Sequence, residues 1–135
     1  MKVVVIDGQG GKMGQMIIER IKSAGLECEL IAIGTNSIAT SAMLKAGADA
    51  GATGENSAVV ASRDADVIIG PIGIIAADSL LGEVTPAMAV AIGQSKAKKL
   101  LLPVNLCNNI IVGAGSLSMT KLITEVAQEL AKIMR

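Results

Sequence analysis

A chain of 135 residues has room for one domain and none for a separate substrate domain. Twelve Lys and Arg balance twelve Asp and Glu, and no Phe, Trp, Tyr or His occurs, although 51% of the residues are apolar. That composition excludes imidazole acid–base chemistry and His-ligated metal, and it lacks the cationic stripe and stacking rings of a nucleic-acid binder.

The core must be built from Ile, Leu, Val, Ala and the seven Met. So much aliphatic surface suits a parallel sheet covered on both faces. It also leads us to expect a homo-oligomer, because monomers seldom leave large apolar patches open. Cys28 and Cys107 form no C-x-x-C pair and read as reduced, buried small hydrophobes of a cytoplasmic protein. Val3 to Ile6 is too short for a signal peptide. The longest uncharged stretch, 100–120, contains Pro103, Asn105, Asn108, Asn109, Gly113 and Gly115, which suit strand and loop rather than a membrane span.

In chain order, Lys2 to Ile6 reads as a buried strand closed by Asp7 and Gly8. Met13, Ile17, Ile21 and Ala24 recur at helical spacing, and Gly25 stops that helix. Glu27 to Ile33 is a second strand, ended by Gly34, Thr35 and Asn36, with a short helix over Ser37 to Ala46 capped by Asn36. Ala48 to Thr53 is a weak third strand, Glu55 to Ser62 one or two helical turns, and Asp66 to Ile69 the fourth strand. Thr85-Pro86 starts a helix expected to run to about Lys99, its lysines favouring the negative end of the dipole. Leu100 to Val104 and Ile110 to Val112 read as fifth and sixth strands, and Ser118 to Met134 as the clearest amphipathic helix. The alternation predicts a single α/β domain over 1–135, a Rossmann-like three-layer sandwich with a mostly parallel sheet of five to six strands.

The chemically informative stretch is VVVIDGQGGKMGQMIIERI, which sets Gly8, Gly10, Gly11 and Gly14 between the first strand and the first helix. Gly8 permits a tight turn, Gly10 or Gly11 lets a phosphate approach the backbone, and Gly14 lets the helix pack close to the sheet. The free N–H groups of the first helical turn then face an anion. The run from Gly8 through Gln9, Gly10, Gly11, Lys12 and Met13 to Gly14 is thus the candidate binding loop. It fits G-x-x-G-x-x-G better than G-x-G-x-x-G, because Met13 stands where the third glycine of the latter belongs. A Walker A is excluded: Met13 replaces the Mg²⁺-binding hydroxyl.

The string GQGGKMG resembles the turn that opens the cofactor domain of dihydrodipicolinate reductases. The resemblance implies an NAD(P)-type dinucleotide with its pyrophosphate over Gly8, Gly11 and Gly14 and with Lys12 near a phosphate. It does not imply reductase activity, because the catalytic domain of those enzymes has no counterpart here. DGQGG, the segment Gly70 to Ile74 (GPIGI) and Pro103 to Asn105 (PVN) together resemble a family of short bacterial proteins of unknown function, across nearly the whole chain.

Asp7 departs from the dinucleotide pattern, since a carboxylate beside a phosphate needs a compensating partner. It reads either as a cap on its own loop N–H groups or, with Lys12, as part of a metal or substrate site. The end of the second strand carries Thr35 and Asn36 in place of the acid that reads the ribose of NAD or an Arg for NADP. These two either hold a ribose or phosphate or simply cap the next helix. Gly70, Pro71, Ile72 and Gly73 after the fourth strand, and Asn105 after the fifth, are expected at the same carboxyl edge. The leading expectation is binding of NAD(P) or another adenine nucleotide. The alternatives are a small phosphate- or acyl-processing enzyme using Asp7 and Lys12, and a non-catalytic homo-oligomeric structural protein.

Overall fold

The computed structural model describes residues 1–104 and 108–135. Strands β1 (Lys2–Asp7), β2 (Glu29–Gly34), β3 (Ala50–Thr53), β4 (Val67–Pro71) and β5 (Lys98–Leu102) form one sheet in the order β3-β2-β1-β4-β5. Every neighbouring pair is parallel, and Val3 of β1 lies between Leu30 of β2 and Val67 of β4. Helices α1 (Lys12–Ser23), α2 (Ser37–Lys45), α3 (Glu55–Asp64), α4 (Pro86–Gln94) and α5 (Met119–Met134) cover the two faces. The architecture is the three-layer Rossmann-like α/β sandwich that the alternation of elements predicts.

β1 shows why its sequence has no polar residue between Lys2 and Asp7. Val3 and Val5 point into a core shared with Ile17, Met43 and Leu130, while Val4 and Ile6 point into a second core with Met88 and Ile92. A central parallel strand is buried on both sides, so an alternating polar pattern has no place in it. The helix starts follow the capping residues: Asn36, Thr85 and Ser118 accept the N–H groups of Ala39, Met88 and Lys121.

Three elements differ from the sequence expectation. The helix begun at Pro86 ends at Gln94, because Ser95 turns extended and its hydroxyl donates to Ser62 O while accepting the Ala97 N–H. Lys98 and Lys99 therefore open β5; Lys99 Nζ still reaches back to the Ser95 carbonyl at 2.7 Å, serving the helix end from the strand. No sixth strand forms at Ile110–Val112, which is irregular, with Ile110 and Val112 exposed: Asn108 and Gly113 on either side take left-handed backbone at φ 67° and 85°. α3 is also longer than expected, because Ala58 and Ser62 are small enough to pack it down and are fully covered.

Cys28 is half-buried rather than buried, and burial pushes its thiol pKa up, which disfavours the reactive thiolate. Cys107 lies outside the described residues. Among the described residues, no helix is long and apolar enough to cross a membrane.

Candidate functional site

At the carboxyl end of β1 the chain reverses through Gly8 to Gly11, and the Gly11 N–H closes the turn on Gly8 O at 2.9 Å. Gly11 sits at φ 73°, and a Cβ there would lie 2.7 Å from the Ala39 Cα of α2. A side chain on Gly8 would overlap Thr35 Oγ1, and one on Gly14 would press on Met43 and Asp7. Three of the four glycines are thus required by the protein's own packing. Gly10 differs: a Cβ there meets nothing within 4 Å, and its backbone is not left-handed.

Asp7 turns its carboxylate into this turn. Oδ1 accepts the Gly8 N–H and Oδ2 the Gly14 N–H, both at 2.8 Å, and the residue is 4% exposed. Burial raises its pKa above the ordinary value; the two N–H bonds act against that, and the nearby Glu83 charge adds to it. Lys12 does not pair with it. The ion pairs among the described residues are Lys2–Asp64, Lys22–Asp49 and Lys132–Glu129.

With Gly8, Gly11 and Gly14 engaged, the N–H groups of Gly10, Lys12 and Met13 have no acceptor among the described residues. They border a cavity of about 460 Å³ lined by Asp7 to Met13 together with Met16 and Met119. This cavity joins a polar backbone rim to three thioether side chains. Among the described residues, no group of three or more acidic or thiol side chains is placed to hold a metal.

The other flank of the turn is closed. Glu83, on the segment between β4 and α4, accepts three hydrogen bonds on one oxygen. Oε1 takes the Gln9 N–H at 2.8 Å, the Thr35 hydroxyl at 2.6 Å and the Asn36 amide at 2.8 Å. Asn36 also donates to the Gln9 carbonyl, so the β2–α2 junction, the glycine turn and Glu83 form one network. These donors hold the Glu83 pKa below the ordinary glutamate value, although burial alone would raise it. The segment reaches this position through left-handed backbone at Asp78, Leu80, Leu81 and Gly82, with Leu80 buried beside Gly8.

Gly8 to Gly14 therefore meet Thr35 and Asn36 through the Asn36 bond to Gln9 and through Glu83, rather than across an open cleft. Gly70, Pro71, Ile72 and Gly73 lie at the same sheet edge without lining the cavity. Gly70 lets β4 approach the Ile6 carbonyl, and the Gly73 carbonyl accepts the Ser79 hydroxyl, anchoring the segment that carries Glu83. Asn105 lies outside the described residues. Glu83 escaped the sequence reading because no local pattern marks it: its partners are 47 to 74 positions away. The available signal was its position, an acid between the fourth strand and the next helix, where loops face the carboxyl edge.

A larger cavity of about 550 Å³ runs along α3 against Val4, Ile31, Ile33 and Ala52. Two of its charged residues, Lys2 and Asp64, are already paired with each other. It is an apolar groove away from the turn, and the carboxyl edge is the better candidate.

Residues 2–135 match the family described as a domain of unknown function, DUF3842. The chain belongs to that family. The matched span takes in every strand and helix, so both flanks of the glycine turn lie within the DUF3842 domain. No curated protein matches the chain, and no solved structure does.

Proposed function

We propose that this protein binds a nucleotide-type phosphate ligand, an NAD(P)-like dinucleotide being favoured, at the turn between β1 and α1. The observation that carries the reading is Gly10. It is the one glycine of the turn that the protein's own packing does not require, and it stands among the free N–H groups of Gly10, Lys12 and Met13. A phosphate there gains the N–H donors and the positive end of the α1 dipole, with Lys12 beside it. Met13, Met16 and Met119 offer an apolar wall for a base or an acyl arm. Binding is favoured over catalysis because Asp7 is committed to two backbone N–H groups and is not free to act as a base. We place this activity in the cytoplasm.

The test is calorimetric titration of the purified protein with NAD, NADP, coenzyme A and ATP, alongside a Gly10→Asp variant. The variant keeps its helical circular dichroism and loses about tenfold or more in affinity, the effect of one repelled charge at the phosphate. Unchanged affinity in the variant, or no binding by any of the four ligands, overturns the reading.

A second reading, assembly into a homo-oligomer, rests on the apolar excess of the composition together with ten large apolar side chains left exposed among the described residues, Leu81 and Val112 most of all, at 95% and 94%. Light scattering across a concentration series tests it, and a monomer at every concentration removes it.

A further inference from the structure

The flank of the turn next to β2 is where dinucleotide domains place the adenosine ribose. Here that flank holds three donors from two different junctions, the Gln9 N–H, the Thr35 hydroxyl and the Asn36 amide, all pointing at one oxygen of Glu83. Leu80 of the same segment packs beside Gly8, and the cavity lies wholly on the other flank. Glu83 is itself only partly buried, and no cation pairs with it among the described residues.

We infer that Glu83 is a built-in latch: its carboxylate occupies the donors on the β2 flank that an adenosine-bearing ligand would use, so such a ligand must displace it to bind. The inference rests on the nucleotide reading and states how that site is regulated. A phosphate alone needs only the Gly10–Met13 rim and leaves the latch shut. A ligand that carries a ribose past Gly8 must open it. The move needed is small. The segment Ala76 to Val84 is hydrogen-bonded mainly to itself, Asp78 N–H to Val84 O, Gly82 N–H to Asp78 O and Val84 N–H to Ser79 O, and Leu80 and Val84 root it in the core. Glu83 between them is only partly buried, so its side chain can swing out while the segment stays in place and no strand is unpaired.

The experiment compares NAD, ADP and inorganic pyrophosphate as titrants of the wild-type chain, Glu83→Gln and Glu83→Ala. If the latch is shut in about nine molecules of ten, opening it raises apparent affinity about tenfold. The expected result is that gain for NAD and ADP in Glu83→Ala, a smaller gain in Glu83→Gln, and no change for pyrophosphate. Binding of NAD to Glu83→Ala but not to the wild type supports the same conclusion. An equal gain for all three titrants means that a negative charge was merely removed, and overturns the latch. Weaker NAD binding in the variants makes Glu83 a direct ligand contact and also overturns it. Unchanged NAD binding in both variants overturns the latch while leaving the nucleotide reading in place. If no titrant binds any of the three proteins, the nucleotide reading falls and the latch with it. Should Glu83→Ala fail to fold, Glu83→Gln, which keeps the side-chain volume, decides between the same outcomes.

Discussion

The two flanks of the β1–α1 turn start from one backbone reversal and end in opposite conditions. Toward β2 the donors nearest the turn are matched, because Glu83 takes up the Gln9 N–H, the Thr35 hydroxyl and the Asn36 amide. Toward the cavity bounded by Met16 and Met119, three backbone N–H groups have no acceptor among the described residues. The difference shows that a glycine-rich turn does not by itself announce a ligand. Gly8, Gly11 and Gly14 are explained by neighbours in the same chain, and only Gly10 is left for something outside it.

The sharpest way to break this contrast is at Gly11. Gly11→Ala forces a side chain into left-handed backbone and against Ala39, and we expect a loss of about 2–4 kcal/mol in stability by urea denaturation. A loss below about 0.5 kcal/mol, the range of ordinary surface changes, would mean that the turn is not locked as described. Next is Asp7→Asn, whose amide turns a donor toward one of two N–H groups; about 1–3 kcal/mol is expected from the same measurement. Thr35→Val removes one donor from Glu83 and costs about 1 kcal/mol.

Acid separates the two carboxylates by sign. The folded-state pKa of Glu83 is depressed, so the stability it contributes is whole above 4.5 and is lost as pH falls through that lower value. The folded-state pKa of Asp7 is raised, so its contribution is whole below 3.8 and is lost as pH rises through the folded value. Urea midpoints of the wild type and Glu83→Gln should therefore converge below pH 4.5, and a gap that persists unchanged would remove Glu83 from the network. The smallest effect is at Gly10. Gly10→Ala should change stability by no more than about 0.5 kcal/mol, which would separate this position from its three neighbours.

What could be read in advance follows how local each determinant is. The Val3–Ile6 run, the Asn36 and Thr85 caps and the amphipathic face of α5 are written in consecutive or helically spaced residues, and all are in place. α4 ends earlier than its sequence suggests because a lysine cluster suits both a helix terminus and a strand, and Ser95 bonding Ser62 across the fold decides between them. Ile110 to Val112 have strand-forming side chains, yet left-handed backbone at Asn108 and Gly113 brackets them and no strand among the described residues receives them. At the site, the turn itself was legible because its parts are contiguous. Its closure by Glu83 was not, since that depends on the path of Asp78 to Gly82 through left-handed backbone that Asp and Leu rarely adopt.

The central place of β1 also has a consequence for synthesis. This strand of Val and Ile is flanked by β2, with Leu30 opposite Val3, and by β4, with Val67 opposite the same residue. A ribosome adding about 5–20 residues per second therefore leaves one edge of the apolar Val3–Ile6 run unpaired for several seconds after the other is satisfied. During that interval the nascent chain displays a sticky edge of the kind chaperones recognise. Glu83 emerges later still, so the glycine turn exists for a time with both flanks open. On the proposed reading, a ligand present during translation would meet the turn before Glu83 had been made.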